Sequence, residues 1–258
     1  SIISNIMPDE IYNLGAQSHV QVSFELPIYT TTVNSFGVLY ILETIKKLNH
    51  KKKIKFYQAS SSEMFGNADG KKLNESSKFK PASPYASSKL YSYWITKNYR
   101  EAYNIFATNG ILFNHESPLR GEHFVTKKIT LGLANIIKKN QKYIELGNLD
   151  AVRDWGHAKD YAYYIWKMLQ LKKPTDLVLC TEQSYSIRDF INECFRYLNI
   201  KIIYKGKGIK EKIYDTNGKL WIKINPKFYR KNEVRELYGD ATEIKTKLKW
   251  KNKTNLKK

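Results

Sequence analysis

Segments with the length and apolar content of β-strands alternate with amphipathic helical segments along most of this 258-residue chain. The predicted strands are 10–15, 53–59, 106–113, 143–146 and 176–180, and the predicted helices are 32–47, 84–103, 124–139, 159–171 and 186–198. Strands that alternate with helices in this way form a parallel sheet covered by helices on both faces. The sequence therefore predicts an α/β fold built on a doubly wound parallel sheet.

The two ends of the chain depart from this alternation. Beyond residue 200 the sequence predicts a hairpin over 213–222, around Asn217-Gly218, and a short helix over 243–249. Residues 1–7 predict the end of a helix, whereas a doubly wound sheet normally opens with a strand, a glycine-rich turn and a helix. No Gly-x-Gly-x-x-Gly segment occurs in the sequence. We therefore expect an incomplete chain that lacks the first βα units of its sheet.

The charge balance bears on which partners the chain can have. The formal net charge is +20, from 44 Lys and Arg against 24 Asp and Glu, and a basic chain invites a nucleic-acid partner. Only seven of the basic residues are arginines, and the lysines are spread along the whole chain, whereas base edges and phosphates favour the arginine fork. We interpret the charge as a solvated surface and predict no nucleic-acid partner, with nucleic-acid binding kept as an alternative.

Cysteine content and hydropathy indicate the cellular setting. Cys180 and Cys194 are the two cysteines, too few for a disulfide framework or a four-cysteine zinc site. No stretch of about 18 uncharged apolar residues occurs, and residues 1–5 show no basic segment followed by an apolar run. We expect a reduced, cytoplasmic protein with no membrane partner.

The first chemically informative segment is 83–89, in a predicted helix. Tyr85 and Lys89 lie four positions apart there, so they share one helix face. A nearby ammonium favours the phenolate and lowers the tyrosine pKa from about 10, which makes the pair a candidate general base for a hydroxyl that is being oxidised. The spacing alone also arises by chance in a chain with 19 tyrosines.

The second segment, 59–66, follows a predicted strand and contains Ser61 and Glu63. Ligands of open α/β sheets bind outside the carboxyl ends of the strands. A hydroxyl and a carboxylate at that position can hold a substrate and move its protons. The alternative for this segment by itself is a capped turn.

A strand that ends in Ser-x-Glu, followed by a Tyr-x-x-x-Lys helix, resembles the catalytic layout of the extended short-chain dehydrogenase/reductase family. Within it, the segments that resemble the GDP-mannose 4,6-dehydratases are 13–20, 110–118, 120–122, 124–130, 153–161, 228–230, 233–234 and 239–242. The Asn-His-Glu-Ser run at 114–117 and the Arg-Asp-Trp-Gly-His-Ala run at 153–158 are the most specific. The similarity extends over nearly the whole chain, although Lys231 stands where the family has a proline.

This resemblance implies a reaction, the conversion of GDP-mannose to GDP-4-keto-6-deoxymannose with NADP as the cofactor and without a metal. Tyr85 would be the base at the O4 hydroxyl, and Lys89 would lower its pKa and hold the nicotinamide ribose. Glu63 would shuttle protons between C5 and the C6 hydroxyl, and Ser61 would hydrogen-bond to O4. The implied cofactor contacts are Leu14, Gly15, Ala16, Gln17, Ser18, Tyr29, Lys89, His115 and Arg120. The implied nucleotide-sugar contacts are Asn114, Lys128, Arg153, Arg230 and Glu233.

The resemblance also implies a domain organisation. A Rossmann-like NADP-binding domain would comprise 1–119 and 149–183, and a smaller α/β nucleotide-sugar-binding domain would comprise 120–148 and 184–258. The complete enzyme would be a homo-oligomer, either a dimer or a tetramer.

This interpretation predicts where the site residues lie and whether the chain is active. The catalytic side chains should converge on one cleft, with Arg153 and Arg230 at its far end. Because the sequence lacks the glycine-rich turn that lets a backbone approach a pyrophosphate, the 258-residue chain is expected to bind NADP poorly and to be inactive. The alternatives are another nucleotide-sugar epimerase or 4,6-dehydratase, the nucleic-acid-binding protein considered above, and a catalytically inactive relative.

Overall fold

The computed structural model describes residues 2–229 and 232–256. The strands are β1 (Glu10–Asn13), β2 (Lys55–Ser61), β3 (Ala107–Leu112), β4 (Asn114–Glu116), β5 (Ile144–Leu146), β6 (Val152–His157), β7 (Leu177–Leu179), β8 (Ser184–Ser186), β9 (Ile202–Lys205), β10 (Lys212–Asp215) and β11 (Leu220–Ile224). The α-helices are α1 (Ile2–Ile6), α2 (Val20–Glu25), α3 (Pro27–Thr31), α4 (Gly37–Leu48), α5 (Pro84–Tyr103), α6 (Val125–Ile137), α7 (Ala158–Leu169), α8 (Ile187–Tyr197) and α9 (Thr242–Leu248). None of these helices is long and apolar enough to cross a membrane.

The main sheet has the strand order β1-β2-β3-β7, and each neighbouring pair is parallel. Successive side chains of β2 enter different cores. Phe56 packs in a cluster with residues of α4 and α5, and Tyr57 packs in a cluster with residues of α7 and α9. Alternation of this kind is what a strand covered on both faces shows, so the predicted α/β fold with a doubly wound parallel sheet is confirmed.

Gly110 of β3 lies directly against the ring of Tyr57. A Cβ at Gly110 would overlap the Tyr57 hydroxyl oxygen and lie 2.7 Å from its Cζ. Gly110→Ala should therefore lower the free energy of unfolding by about 1–3 kcal/mol, the usual cost of overpacking a core, in urea unfolding. Gly37→Ala adds a Cβ with no atom within 4 Å and should be neutral or stabilising in a helix. Equal effects of the two substitutions would contradict this prediction.

The second sheet has the order β5-β11-β10-β9, in which β5 and β11 are parallel and the other pairs are antiparallel. The predicted hairpin is confirmed as β10 and β11, and Gly218 in the connecting turn has a φ of 82°. This sheet packs against α6 and α8 and forms a core of its own, separate from the two cores of the main sheet. The buried side chains of this second core include Leu133, Phe195 and Trp221.

A third, smaller sheet with the order β4-β6-β8 joins the other two. β4 comes one residue after β3 of the main sheet, and β8 leads directly into α8 of the second core. The sequence analysis did not predict these strands, because β4 and β8 have only 3 residues each and β6 has the largely polar sequence Val-Arg-Asp-Trp-Gly-His.

The structure corrects one predicted domain range and one predicted helix. The predicted nucleotide-sugar domain included all of 184–258, but Leu237, Ile244 and Trp250 are buried in the same core as α7 and β7. Residues 234–250 therefore complete the hydrophobic core of the main sheet. The helix predicted over 32–47 begins with a π-helical turn, Thr32–Phe36, before α4.

Candidate active site

A cleft of about 1170 Å³ opens at the carboxyl ends of β1, β2 and β3. Its walls include the chain segments that follow these strands, and residues of α6 and β5 from the second core line the opposite side. Parallel strands bring their carboxyl-end loops to one edge of a sheet, where open α/β sheets bind their ligands. The volume is sufficient for a ligand larger than a typical drug molecule.

Ser61 and Glu63 enter the cleft where β2 ends. The Ser61 hydroxyl accepts a hydrogen bond from the Glu63 N–H at 3.2 Å and so caps the 3₁₀ turn Ser62–Phe65. Both side chains are buried. The turn therefore fixes a hydroxyl and a carboxylate two positions apart on the cleft wall.

Tyr85 and Lys89 enter from the first turns of α5. This helix starts at Pro84, and the Ser83 hydroxyl caps it by accepting a hydrogen bond from the Ala86 N–H at 3.0 Å. Tyr85 is 8% exposed and interacts electrostatically with Ser61 and Glu63. The structure thus brings the four predicted catalytic side chains into one cleft.

The electrostatics of Tyr85 differ from the prediction. Burial raises the pKa of Tyr85 to about 12, while the hydrogen bond from Ser61 and the charge of Arg120 act to lower it. Burial also lowers the pKa of Lys89 to about 8. The Lys89 Nζ donates to the Ala59 carbonyl oxygen at 2.9 Å and lies 6.0 Å from the centre of the Tyr85 ring. In this geometry Ser61 and Arg120, not Lys89, favour the phenolate.

Arg153 lies beside Glu63, and the prediction that it lies at the far end of the cleft is wrong. Its Nε is 3.7 Å from Glu63 Oε1. The reason is the pairing of β4 with β6, which sets β6 next to the strand that continues from β3. Arg230, the other arginine predicted there, lies outside the described residues.

The loop after β1 supplies most of the predicted cofactor contacts. Leu14, Ala16, Gln17 and Ser18 line the cleft, and Gly15 lies between them in the chain. Asn34 holds this loop: its Oδ1 accepts from the Gln17 N–H at 2.8 Å, and its Nδ2 donates to the Ser88 hydroxyl of α5 at 2.9 Å. Asn34 was missed in the sequence analysis, where a polar residue within the apolar face of the helix predicted over 32–47 was the available signal.

Two further predicted cofactor contacts, His115 and Arg120, line the cleft after β3. The His115 ring stacks on Tyr161 at 4.7 Å, and burial lowers its pKa, which favours the neutral imidazole. The Arg120 guanidinium lies 3.7 Å from the centre of the Phe124 ring, and its Nε is 3.3 Å from Glu116 Oε2.

Tyr29, also predicted as a cofactor contact, is not brought into the cleft. It lies on α3 and is 57% exposed. The short helix α3 packs against α5, and the cleft is lined instead by the preceding residues of α2.

The other described nucleotide-sugar candidates line the cleft from different elements. Asn114 begins β4, Lys128 lies in α6, and Glu233 lies in the segment before α9. The Lys128 Nζ is 3.6 Å from the centre of the Phe228 ring, and burial lowers its pKa. Glu233 accepts a hydrogen bond from Asn148 Nδ2 at 3.3 Å. Neither Phe228 nor Asn148 was predicted as a site residue, although Phe228 lies in the family-like segment 228–230.

Asp154, next to Arg153 in β6, is a buried carboxylate that the sequence analysis did not assign. It accepts hydrogen bonds of 2.8 to 3.0 Å from the N–H and the hydroxyl of Thr181 and from the N–H of Glu182. Burial raises its pKa from the ordinary 3.8 to about 6, more than these hydrogen bonds lower it. The bonds fasten β6, and with it Arg153, to the end of β7.

The raised pKa of Asp154 predicts a pH dependence of stability. Because the folded protein binds this proton more tightly than the unfolded chain, the stabilisation is present below about pH 4 and is lost as the pH rises through about 6. The unfolding free energy of wild type minus that of Asp154→Asn should fall by about 3 kcal/mol between about pH 4 and about pH 7. Urea unfolding of both proteins across this window measures the change, and a constant difference would contradict it.

Comparison with known proteins agrees with this geometry. The model of the "GDP-mannose 4,6 dehydratase" family matches residues 1–258. The chain belongs to this family. The GDP-mannose 4,6 dehydratases of Drosophila melanogaster and Homo sapiens are 49% and 48% identical to it, over 96% and 97% of the chain. The family predicted from the sequence is thereby confirmed over the other epimerases and dehydratases.

The chain spans 63% of the length of the Drosophila relative and 68% of the human one. Two solved structures show its fold. RMD from Pseudomonas aeruginosa, complexed with NADPH, has a TM-score of 0.78 at 21% identity, over 97% of this chain and 78% of that one. The dTDP-glucose 4,6-dehydratase DesIV from Streptomyces venezuelae, solved with NAD, has a TM-score of 0.80 at 20% identity, over 96% of this chain and 69% of that one.

Proposed function

We propose that this member of the GDP-mannose 4,6-dehydratase family supplies the catalytic residues that convert GDP-mannose to GDP-4-keto-6-deoxymannose. The observation that carries the proposal is the placement of Tyr85, Ser61 and Glu63 in the lining of one cleft, where Tyr85 interacts electrostatically with the other two. A phenol, a hydroxyl and a carboxylate that line one cleft can move the protons of adjacent sugar carbons, and family membership supports GDP-mannose as the sugar nucleotide.

The cofactor in this proposal is NADP, and the residues at the strand ends fit a nicotinamide nucleotide. Lys89 projects into the cleft from α5, the loop held by Asn34 follows β1, and the neutral His115 ring follows β3. These groups would hold the nicotinamide and its ribose. The chemistry supplied by a bound nicotinamide would be the transfer of a hydride from C4 to C6 of the sugar.

The proposed proton transfers balance over one turnover. Tyr85 accepts the O4 proton as C4 becomes a ketone, while Ser61 hydrogen-bonds to the same oxygen. The ketone acidifies the neighbouring C5–H, and Glu63 takes that proton and delivers it to the C6 hydroxyl, which leaves as water. The proton that Tyr85 took from O4 is then delivered to C5, so Tyr85 and Glu63 both end in their starting protonation states and the net change is the loss of one water.

The proposed nucleotide-sugar contacts are further residues of the cleft lining. Lys128 and Arg153 would offer cations to the nucleotide sugar, and Asn114 and Glu233 would offer hydrogen bonds to it. Arg230 belongs to this set by its position in the family motif and lies outside the described residues.

Turnover of GDP-mannose tests the proposed function. The 258-residue chain would be compared with an extended chain, in which the leading segment of the Drosophila relative precedes it. With NADP⁺ present, NMR should show the 4-keto sugar with the extended chain, and weak NADP⁺ binding without product with the 258-residue chain. No product from the extended chain would contradict the function, and product from the 258-residue chain would contradict the expected inactivity.

We also propose that the complete enzyme is a homo-oligomer. The outer faces of α4 and α5 carry large aromatic side chains that are 40% exposed or more, among them Tyr40, Tyr91 and Trp94. Exposed aromatic patches of this kind mark association surfaces. Sedimentation of the extended chain as a monomer would contradict this assignment.

A further inference from the structure

Arg153 and Glu63 form an ion pair that joins two separate sheets. Glu63 follows β2 of the main sheet, and Arg153 lies in β6 of the third sheet. The Arg153 Nε is 3.7 Å from Glu63 Oε1, and the two side chains are only 7% and 11% exposed. Arg153 Nη1 also donates to the Val152 carbonyl oxygen at 2.9 Å. One part of the guanidinium is thus anchored to backbone while another part faces the carboxylate.

The length of this contact matters for the chemistry. At 3.7 Å the Nε–Oε1 contact is one of charge and not a hydrogen bond, so it does not use up the carboxylate lone pairs that must receive a substrate proton. Arginine keeps its charge at any pH at which the protein is folded. Its field at Glu63 therefore stays constant while Glu63 alternates between its protonated and ionised forms.

We propose that Arg153 is a positioning residue for Glu63, an inference that rests on the proposed function. Its guanidinium, fastened to β6, holds the carboxylate at the cleft wall beside Tyr85, where C5 and the C6 hydroxyl of the sugar must be reached in turn. The family resemblance implies only a nucleotide-sugar contact for Arg153. A residue that merely contacts the diphosphate acts on KM, whereas one that positions the proton shuttle acts on kcat.

A double-mutant cycle in the extended chain separates these two roles. The variants are Arg153→Met, Glu63→Gln and the two combined. Arg153→Met should lower kcat by about 10- to 100-fold, as small misplacements of a catalytic group do. It should lower the rate of deuterium incorporation at C5 in D₂O by the same factor. In the Glu63→Gln background the same substitution should change the residual kcat by less than about threefold, because non-additivity marks groups that act as one unit. Arg153→Lys keeps the charge and should recover part of the lost rate.

Thermal melting without substrate provides a readout that does not depend on activity. Arg153→Met alone leaves the Glu63 carboxylate buried without its cation, and removing one partner of a buried pair is more harmful than removing both. The double variant should therefore melt at a higher temperature than Arg153→Met. The matched control is Arg100→Met, which breaks the partly buried pair with Asp176, at 2.7 and 2.9 Å, outside the cleft lining. It should lower the melting temperature and leave the kcat of the folded protein unchanged.

Two results would overturn the inference. One is a raised KM for GDP-mannose with kcat unchanged in Arg153→Met, and the other is an equal loss of kcat in the wild-type and Glu63→Gln backgrounds. Failure of the extended wild-type chain to convert GDP-mannose would count against the proposed function instead. In that case a double variant that melts no higher than Arg153→Met would still reject the coupling of Arg153 to Glu63.

Discussion

Tyr85→Phe in the extended chain is expected to lower kcat by about 10²- to 10⁴-fold, the usual contribution of a general base, with the affinity for GDP-mannose changed by less than about threefold. The substitution removes only the oxygen proposed to accept the O4 proton. The ring should remain packed at the start of α5, and the residues proposed to contact the nucleotide sugar lie on other elements. Steady-state kinetics give kcat, and calorimetric titration gives the affinity.

Tyr57→Phe is the matched control for this prediction. Tyr57 is a fully buried tyrosine of β2 that lies outside the cleft lining, and its hydroxyl has no hydrogen-bond partner among the described residues. Removal of the Tyr57 hydroxyl in Tyr57→Phe should therefore leave kcat unchanged. An equal loss of kcat and of affinity in Tyr85→Phe would show that Tyr85 supports binding and is not the base.

The helix that carries Tyr85 could be predicted from the sequence, including both of its ends. Ser83 and Pro84 are strong local signals for a helix start, and α5 begins at Pro84 as predicted. The helix ends before Asn104, which has a left-handed φ of 51° that asparagine tolerates better than most residues. Local sequence is sufficient where such start and stop residues determine the structure.

The position of Arg153 could not be predicted in the same way. It depends on β6, a short polar strand that forms only because β4 and β8 pair with it. Such pairing joins segments far apart in the chain, and short strands of this kind have no periodicity of their own. The sequence identified Arg153 as a site residue through its motif, but it did not place the guanidinium against Glu63.

The pKa values of Tyr85 and Lys89 are a second property that the sequence could not predict. Helical spacing correctly places both residues on one face, and both line the cleft. The pKa of each group is nevertheless set mainly by burial, which raises that of Tyr85 and lowers that of Lys89. Burial depends on the packing of α5 against the main sheet, and spacing within one helix does not report it.

Glu63→Gln in the extended chain is expected to lower kcat by about 10²- to 10⁴-fold. The rate of deuterium incorporation at C5 in D₂O should fall by a similar factor. Glutamine has nearly the same shape, so the 3₁₀ turn capped by Ser61 should persist. It cannot accept a proton, however, and therefore cannot carry one from C5 to the C6 hydroxyl. NMR of the recovered sugar nucleotide measures the deuterium, and the rate of product formation gives kcat.

Glu75→Gln is the matched control, because Glu75 is a partly buried glutamate outside the cleft lining, whose carboxylate accepts a hydrogen bond from the Val178 N–H at 2.6 Å. It should retain both kcat and deuterium incorporation per folded molecule. If Glu63→Gln kept full deuterium incorporation while kcat fell, another group would remove the C5 proton, and Glu63 would serve only the departure of water. If both quantities stayed at wild-type levels, the assignment of Glu63 as the proton shuttle would be wrong.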